Sequence, residues 1–443
     1  MAQILTPKLD FSDLIDSVRG NALLLIVTGV LFYGIPTAAA GQWGVFYMQD
    51  LGLSKTQIGF VSITITSTSL LFLIIGGDLA DSWGRKRTTV TIDIIAYTGG
   101  YLILALSRNF LYFMIYALVW GTSTASGVAF GCLFAESVEP EKRGKAYALN
   151  AIITPIPGVF MPYVGYLVIG HFQASLGAVP GLIMAMRLLY LWVSLSVAVG
   201  VLVRYLKVKE THPSPTTAGF LPRRYISAFT SFPPHIPRYV KHPALFKGYK
   251  DTVKWLWERR APFTYWLASA ISSFAGSLTA LAYPFYIVDH LGLKLSALAA
   301  FASVNTATGI ALTIFLAPHF STNNLKKYML VGLSLSPVAT LAFLMAKGNI
   351  GLLILSGMLG SFAGAFAGPA GGGYWADLIP NERRAKVTAV TGVMTNIINV
   401  PSQFIGLMLY QIIPYLPWVF VIAFQISTVL LIASLPKMPT GST

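Results

Sequence analysis

Twelve apolar stretches, each long enough to cross a lipid bilayer, dominate the sequence: 22–47, 57–77, 89–106, 110–134, 146–170, 181–203, 263–287, 296–318, 328–346, 350–374, 387–410 and 414–435. Ten hold no Asp, Glu, Lys or Arg; the third holds only Asp93 and the sixth only Arg187. A spanning helix needs about 20 apolar residues. Backbone in hydrocarbon must satisfy its own hydrogen bonds, which leaves helices or a closed barrel. The runs show no alternation of apolar and polar residues, so a barrel is excluded. Only 11% of the 443 residues are charged, against about 25% in soluble domains. A water-soluble fold and a disordered chain are both ruled out. The single cysteine, Cys132, excludes an internal disulfide framework or a Cys-rich metal site and reads as an inert buried thiol.

The net charge of +15 would suggest nucleic acid were it not for its placement. With the N-terminus in the cytoplasm, 26 of the 31 Lys and Arg fall on the inner side, twelve of them in residues 204–262. The outer side keeps only Lys55, Arg108, Lys294 and Lys347. That asymmetry is the positive-inside signal and needs no nucleic-acid partner. The first span is not read as a cleaved leader despite Ala38-Ala39-Ala40, because Asp10, Asp13 and Asp16 precede it in place of basic residues.

The chain reads as three parts: a six-span half (1–205), a basic, proline-rich cytoplasmic linker (206–262) and a second six-span half (263–443). The linker ends in KGYKDTVKWLWERR, which reads as a short helix lying on the inner leaflet. The halves echo each other. FYMQDLGL at 46–53 recurs as FYIVDHLGL at 285–293, one residue longer, and AESVEPEKRGKA at 135–146 recurs as ADLIPNERRAK at 376–386. Glu136 and Asp377, then Pro140 and Pro380, then Arg143 and Arg383 form the shared skeleton of the second pair. Duplicated units of this kind are a transporter architecture.

Residues 77–87, GDLADSWGRKR, resemble the signature loop between the second and third helices of the major facilitator superfamily. Gly77, Leu79, Ala80, Asp81, Gly84, Arg85 and Lys86 match it; Thr89 departs from the aliphatic residue usual there. The Glu136…Pro140…Arg143 element is similar to the family's second cytoplasmic loop. The equivalent loop of the second half, APHFSTNNLKK, has lost the pattern. The resemblance implies an all-α polytopic membrane protein, with twelve transmembrane helices in two pseudo-symmetric six-helix bundles, working as a monomer in the plasma membrane with both termini cytoplasmic. It implies gating by Gly77, Asp81, Gly84, Arg85, Lys86, Glu136, Arg143, Asp377 and Arg383. Physically, Asp81 can accept hydrogen bonds from Arg85 or from a helix N-terminus of the other half. A latch to the other half would exist only when the cytoplasmic side is closed.

The family's fold places helices 1, 4, 7 and 10 nearest the central path, with 2, 5, 8 and 11 beside them and sites near the midplane between the halves. Counting inward gives Tyr33 and Thr37, then Trp120, Thr122, Ser123 and Thr124, then Ser272 and Ser273, and Asn305. Helix 11 adds Asn396, Asn399 and Gln403, whose spacing puts three amides on one face. These either glue helices together or line a cavity. Gly360, Gly364 and Gly368, four apart, suggest close packing of helix 10. An intramembrane charge is a functional hypothesis by default. Arg187 is expected to meet a backbone carbonyl or snorkel outward. Asp93 is expected to pair with the Arg85–Arg87 cluster. No carboxylate falls at the midplane of helices 1, 4, 7 or 10.

The six histidines form no spaced pair and no phosphate-binding loop is present, so an enzyme, a metal site, a bound cofactor and ATP-driven transport are not expected. The expected function is secondary, proton-coupled transport of a small organic solute by alternating access. The alternative is an uncoupled facilitator or exporter of uncharged or amphipathic compounds. With no fixed charge expected at the cavity centre, an uncharged, weakly polar solute fits better than an ion.

Overall fold

The structure, a computed structural model, describes residues 15–211, 243–316 and 324–436. Most of the proline-rich linker and of the loop 317–327 lies outside them. The described residues are helical with short connections. Helix 1 is Asn21–Asp50, helix 2 Lys55–Trp83, helix 3 Arg85–Ala105, helix 4 Phe110–Glu136, helix 5 Lys145–Leu176 and helix 6 Ala178–Lys207. In the second half, helix 7 runs Arg260–Ala280 and, past a 45° bend, Ala282–His290. Helix 8 is Leu295–Leu316, helix 9 Leu325–Leu344, helix 10 Ile350–Leu378, helix 11 Asn381–Asn399 continued by Ser402–Ile412, and helix 12 Leu416–Ala433. Eleven are long and apolar enough to span a membrane by themselves, and the bent helix 7 makes twelve.

The repeated sequences have a structural cause. Gly52 and Gly292 hold φ of 86° and 65°, the left-handed conformation that ends a helix and that glycine adopts without cost. The amides of Leu53 and Leu293 then reach back to the carbonyls of Met48 and Ile287, at 3.1 Å in each case. The extra residue of the second copy is absorbed as a π-helical turn over Tyr286–His290. One inserted residue within a helix is how such turns arise.

Helix packing keeps the same symmetry. Helices 5 and 6 pack on helix 1 in the first half; helices 11 and 12 pack on helix 7 in the second. A Cβ at Gly165 on helix 5 would stand 2.1 Å from the Ala39 carbonyl oxygen of helix 1. A Cβ at Gly406 on helix 11 would stand 1.6 Å from the Leu278 carbonyl oxygen of helix 7. Ala39 and Leu278 precede Phe46 and Phe285 of the repeat by the same interval, so the two contacts are equivalent. Bare backbone against backbone is how membrane helices approach most closely. The halves meet through helix 5 on helix 8 and helix 2 on helix 11, a pair that the same symmetry interchanges.

One reading of glycine is corrected. Gly360, Gly364 and Gly368 have no neighbouring atom within 4 Å of a built Cβ, so they do not mark a helix contact. Gly77 of the signature loop is likewise free, while its neighbour Gly76 would put a Cβ 2.5 Å from the Cα of Ala125 on helix 4. The helical register turns residue 76, not 77, toward helix 4.

The linker helix, Pro243–Trp257, begins four residues before the stretch read for it and ends three residues before that stretch does, and it is docked on the second half. Trp255 and Leu256 are buried with Trp266, Ile379 and Val387, whereas Trp257 is exposed.

Since each buried glycine contact leaves no room for a methyl group, Gly165→Ala and Gly406→Ala should each lower stability by about 1–3 kcal/mol, the usual cost of overpacking. Gly360→Ala should leave it within about 0.5 kcal/mol. Thermal unfolding in detergent compares all three; an unfolding temperature for Gly406→Ala equal to wild type would refute the backbone contact.

Candidate functional site

At one end of the first half the signature loop builds a charged cluster. Arg85 donates to Asp81 Oδ1 at 2.5 Å and to Glu136 Oε1 at 3.2 Å. Arg143 donates through Nε to the Ala135 carbonyl at 2.9 Å, closing the last turn of helix 4. The chain leaving helix 6 crosses this cluster. Glu210 accepts the backbone N–H groups of Arg85 (2.9 Å) and Lys86 (3.2 Å), and so caps the positive end of helix 3. Thr211 donates to Glu136, and Asn21 exchanges two hydrogen bonds with the Lys209 backbone, each 2.9 Å. Gly84 is glycine because its φ is +108° and a Cβ there would stand 2.6 Å from Glu210 Oε2. Lys86 rests over the Tyr205 ring at 5.4 Å. Asp377 is exposed, and the side chain of Arg383 lies outside the described residues. Asp81 thus pairs within its own half, as one of its two expected partners.

Deeper in the same half lies an ion pair that differs from expectation. Asp93 is 1% exposed and pairs with Arg204 at 3.0 Å, not with the Arg85–Arg87 cluster. Nine residues of helix 3 from Arg85 to Asp93 carry Asp93 about 12 Å along the axis, beyond the reach of the loop. Arg204, counted from sequence among the cytoplasmic cations, is 5% exposed because helix 6 continues to Lys207. Its Nε donates to Thr28 Oγ1 at 2.9 Å, and its guanidinium lies 4.2 Å from the Tyr33 ring centre. Tyr33 donates its hydroxyl to Asp93 at 2.5 Å, and Ser126 donates to the other carboxylate oxygen. Sequence reasoning missed Arg204 because it sits beside the basic linker; its spacing from the end of helix 6 was the available signal. Arg187 donates to the Ser107 carbonyl at 3.1 Å, one of its two expected fates.

Tyr33 and Trp120 are engaged inside the first half. Trp120 packs against Tyr97 and Tyr101, with ring centres 4.9 and 5.1 Å away, and Tyr101 meets Tyr190 at 5.9 Å. Thr37 donates to the Tyr33 carbonyl of its own helix at 2.6 Å, and Ser123 begins the second segment of helix 4. The corresponding interior of the second half is hollow. A cavity of about 710 Å³ opens between helices 7, 8, 9, 10 and 12. Ser272 and Asn305 line it, with Gln42, Ser336, Thr340 and Gln425, and no charged residue does. Thr340 donates to Gln425 Oε1 at 3.1 Å, and Ser361 donates to the Asn305 carbonyl at 2.8 Å. Helices 9 and 12 contribute Ser336, Thr340 and Gln425, which counting inward along helices 1, 4, 7 and 10 could not find.

Two of the three helix 11 amides act between helices. Asn399 donates to Ser273 of helix 7 at 2.7 Å, and Gln403 accepts from Ser62 of helix 2. Asn396 donates to the Gly392 carbonyl within its own helix at 3.0 Å. Asn399 Oδ1 is buried without a partner. The Gln403 contact belongs to a set joining the halves at the end opposite the signature loop. Lys55 pairs with Asp289 at 3.2 Å and lies over the Phe285 and Tyr410 rings. Tyr283 donates to Gln42 Oε1 at 2.5 Å, and the Phe46 and Phe285 rings meet at 5.7 Å.

A family model described as Major Facilitator Superfamily matches residues 22–321 and again 265–443. The chain belongs to the major facilitator superfamily. Its family and relatives are transporters and not enzymes. The chain is 29% identical over 154 residues to a glucose transporter, GlcP, of Staphylococcus epidermidis, covering 33% of each protein. It is 27% identical over 175 residues to a myo-inositol transporter of Cryptococcus neoformans, covering 38% of this chain and 31% of that one. The chain thus spans about a third of the length of the curated relatives it matches. Among solved structures, the inward open xylose transporter XylE of E. coli superposes with a TM-score of 0.65 at 16% identity, over 95% of this chain and 97% of that one, which shows the shared superfamily fold.

The Gly84–Glu210 contact predicts a non-additive pair. Gly84→Ala should cost about 1–3 kcal/mol through strain and clash, and Glu210→Ala about 1 kcal/mol through the lost cap. Combined, they should cost less than the sum, because removing Glu210 removes the clash. A double-mutant cycle of thermal unfolding measures this; strict additivity would argue against the contact.

Proposed function

We propose that this superfamily member is a secondary transporter of a small, uncharged, polyhydroxylated solute, coupled to protons and working by alternating access. The observation that carries the reading is the second-half cavity, about 710 Å³, where hydroxyls and amides are interleaved with apolar residues such as Phe301, Phe343 and Trp418 and no charged residue takes part. A buried ion would need a partner there, and a neutral solute with many hydroxyls needs the mixture of donors and acceptors that Ser272, Asn305, Ser336, Thr340 and Gln425 supply. Arg187, which could have favoured an anion, is occupied by the Ser107 carbonyl and does not line the cavity. The glucose and myo-inositol transporters among the relatives support the same substrate class.

In this reading residues 1–205 and 263–443 move as two units joined by 206–262, in the plasma membrane, as a monomer with both termini cytoplasmic. The Lys55–Asp289 and Tyr283–Gln42 contacts then close the outer side. Asp81, 72% exposed and paired within its own half, stands free to engage the second half when the inner side closes. The sequence-selected residues divide accordingly: Ser272 and Asn305 bind solute; Asn396, Asn399 and Gln403 stand by the path on helix 11; Tyr33, Thr37, Trp120 and Ser123 act from within the first half. Gly77, Gly84, Arg85, Lys86, Glu136, Arg143, Asp377 and Arg383 belong to the inner gate.

Purified protein in liposomes should take up labelled myo-inositol or D-glucose saturably, and faster with an acidic exterior. Asn305→Ala should raise the apparent KM about tenfold, the equivalent of one or two lost hydrogen bonds. Competition by carboxylates and not by neutral polyols would overturn the substrate class. Asp81→Asn should slow turnover several-fold with solute affinity within about twofold, since a latch biases one conformation without touching the ligand. Normal turnover in that variant would remove Asp81 from the gate.

A further inference from the structure

Asp93 and Arg204 form the ion pair, among the described residues, in which both side chains are nearly sealed from solvent, at 2% and 6% exposure. Four helices converge on it: Tyr33 and Thr28 from helix 1, Asp93 from helix 3, Ser126 from helix 4 and Arg204 from helix 6. The titratable or charged groups facing the carboxylate are Tyr33, Tyr97 and Arg204. Asp93 is also the acid that lies inside the twelve apolar spans.

The arrangement accommodates both states of the carboxyl group. As a carboxylate, Asp93 accepts from Tyr33 and Arg204 on Oδ2 and from Ser126 on Oδ1. As a neutral acid it has one O–H to donate, and a hydroxyl such as that of Tyr33 or Ser126 can turn from donor to acceptor. Arg204 is not stranded when the charge on Asp93 is lost. It keeps Thr28 Oγ1 at 2.9 Å and the Leu25 carbonyl at 3.5 Å, and it faces the Tyr33 and Phe130 rings at 4.2 and 5.2 Å. These second partners leave the buried guanidinium satisfied whether or not Asp93 carries its charge.

The site also adjoins two irregular helix segments. Helix 1 is π-wound over Gly29–Gly34 and helix 3 over Ile94–Gly99, so Tyr33 lies within one such segment and Asp93 immediately precedes the other. Single π turns gather at functional positions, where the backbone can re-register cheaply. From Tyr33, helix 1 runs on to Gln42, which both lines the cavity and accepts from Tyr283 of the other half.

We propose that Asp93 is the proton-carrying group of this transporter, with Arg204 as its exchangeable counter-ion. A proton from the outer water forms an O–H bond at Oδ2 while the guanidinium withdraws to Thr28 and Leu25. On the inner side that bond breaks, the proton goes to water, and Arg204 closes on the carboxylate again, as seen here. One proton moves inward with each solute, and no other bond changes. Release of the Tyr33 hydroxyl transmits the change to helix 1. The inference rests on the transport reading above.

Two measurements decide it separately. Infrared titration of the protein in nanodiscs needs no solute: wild type should show a buried protonated-carboxyl band that grows as pH falls, and Asp93→Asn should lack it. In proteoliposomes with labelled myo-inositol or D-glucose, Asp93→Asn should retain counterflow exchange but lose at least about tenfold in accumulation driven by an acidic exterior. Tyr33→Phe should accumulate solute several-fold less and with a displaced pH profile, an effect on coupling that a purely structural bond would not produce. Should Asp93→Asn not fold, Asp93→Glu replaces it, with a displaced pH profile expected and an unchanged one overturning the proposal. A carboxyl band that survives in Asp93→Asn, or wild-type accumulation by it, would also overturn it. Failure of wild type to move either solute would sink the proposed substrate class while leaving the infrared result to decide the proton site.

Discussion

Within hydrocarbon a polar group has only the protein to bond with, and most features of this structure answer to that constraint. The backbone satisfies itself in helices, and where an extra residue intrudes, as at Tyr286–His290, it re-forms as a π turn and not as an open loop. Arg187 finds the Ser107 carbonyl, Asn399 finds Ser273, and Gln403 finds Ser62 across the two halves. The same constraint draws Tyr33, Asp93, Ser126 and Arg204 together from four helices. None could be left facing lipid, and one bundle interior serves them all.

The two halves share a backbone plan and differ in what fills them. Gly165 on Ala39 and Gly406 on Leu278 repeat one close contact, and Gly52 and Gly292 repeat one helix stop. Gly165 and Gly406 leave no room for a side chain, and Gly52 and Gly292 hold a left-handed backbone that glycine adopts without strain. Between those fixed points the interiors diverged. The first half is packed with Tyr97, Tyr101, Trp120 and Tyr190 around the Asp93–Arg204 pair. The second keeps small residues and hydroxyls around a cavity. Aromatic rings occupy the interior of one half, and the cavity lies in the other.

The signature loop gains its meaning from a segment outside it. Glu210, just past helix 6, caps helix 3 through the Arg85 and Lys86 amides, and Thr211 holds Glu136. The loop, the end of helix 4 and the beginning of the linker thereby form one charged clasp on the first half. Arg85 stands at its centre between Asp81 and Glu136, both exposed, so each contact contributes little by itself and the cluster acts as a network.

The sequence by itself determined the helical membrane fold, the number of spans and the duplication, because hydrophobic length and repeated helix stops are local properties. It also identified the loop cations and acids of the signature motif, which lie within a few residues of their partners, as Asp81 and Arg85 do. What only the tertiary structure decided are the pairings between distant segments. Arg204 reads as one more cation of a basic linker until helix 6 is seen to carry it into the bundle beside Asp93. Gly76 and Gly77 are indistinguishable until helix 4 lies against one of them. The cavity draws on Ser336, Thr340 and Gln425 from helices that counting inward along a central path does not reach. Which face of a helix meets which neighbour is set by packing over the whole bundle, and a local pattern carries no record of it.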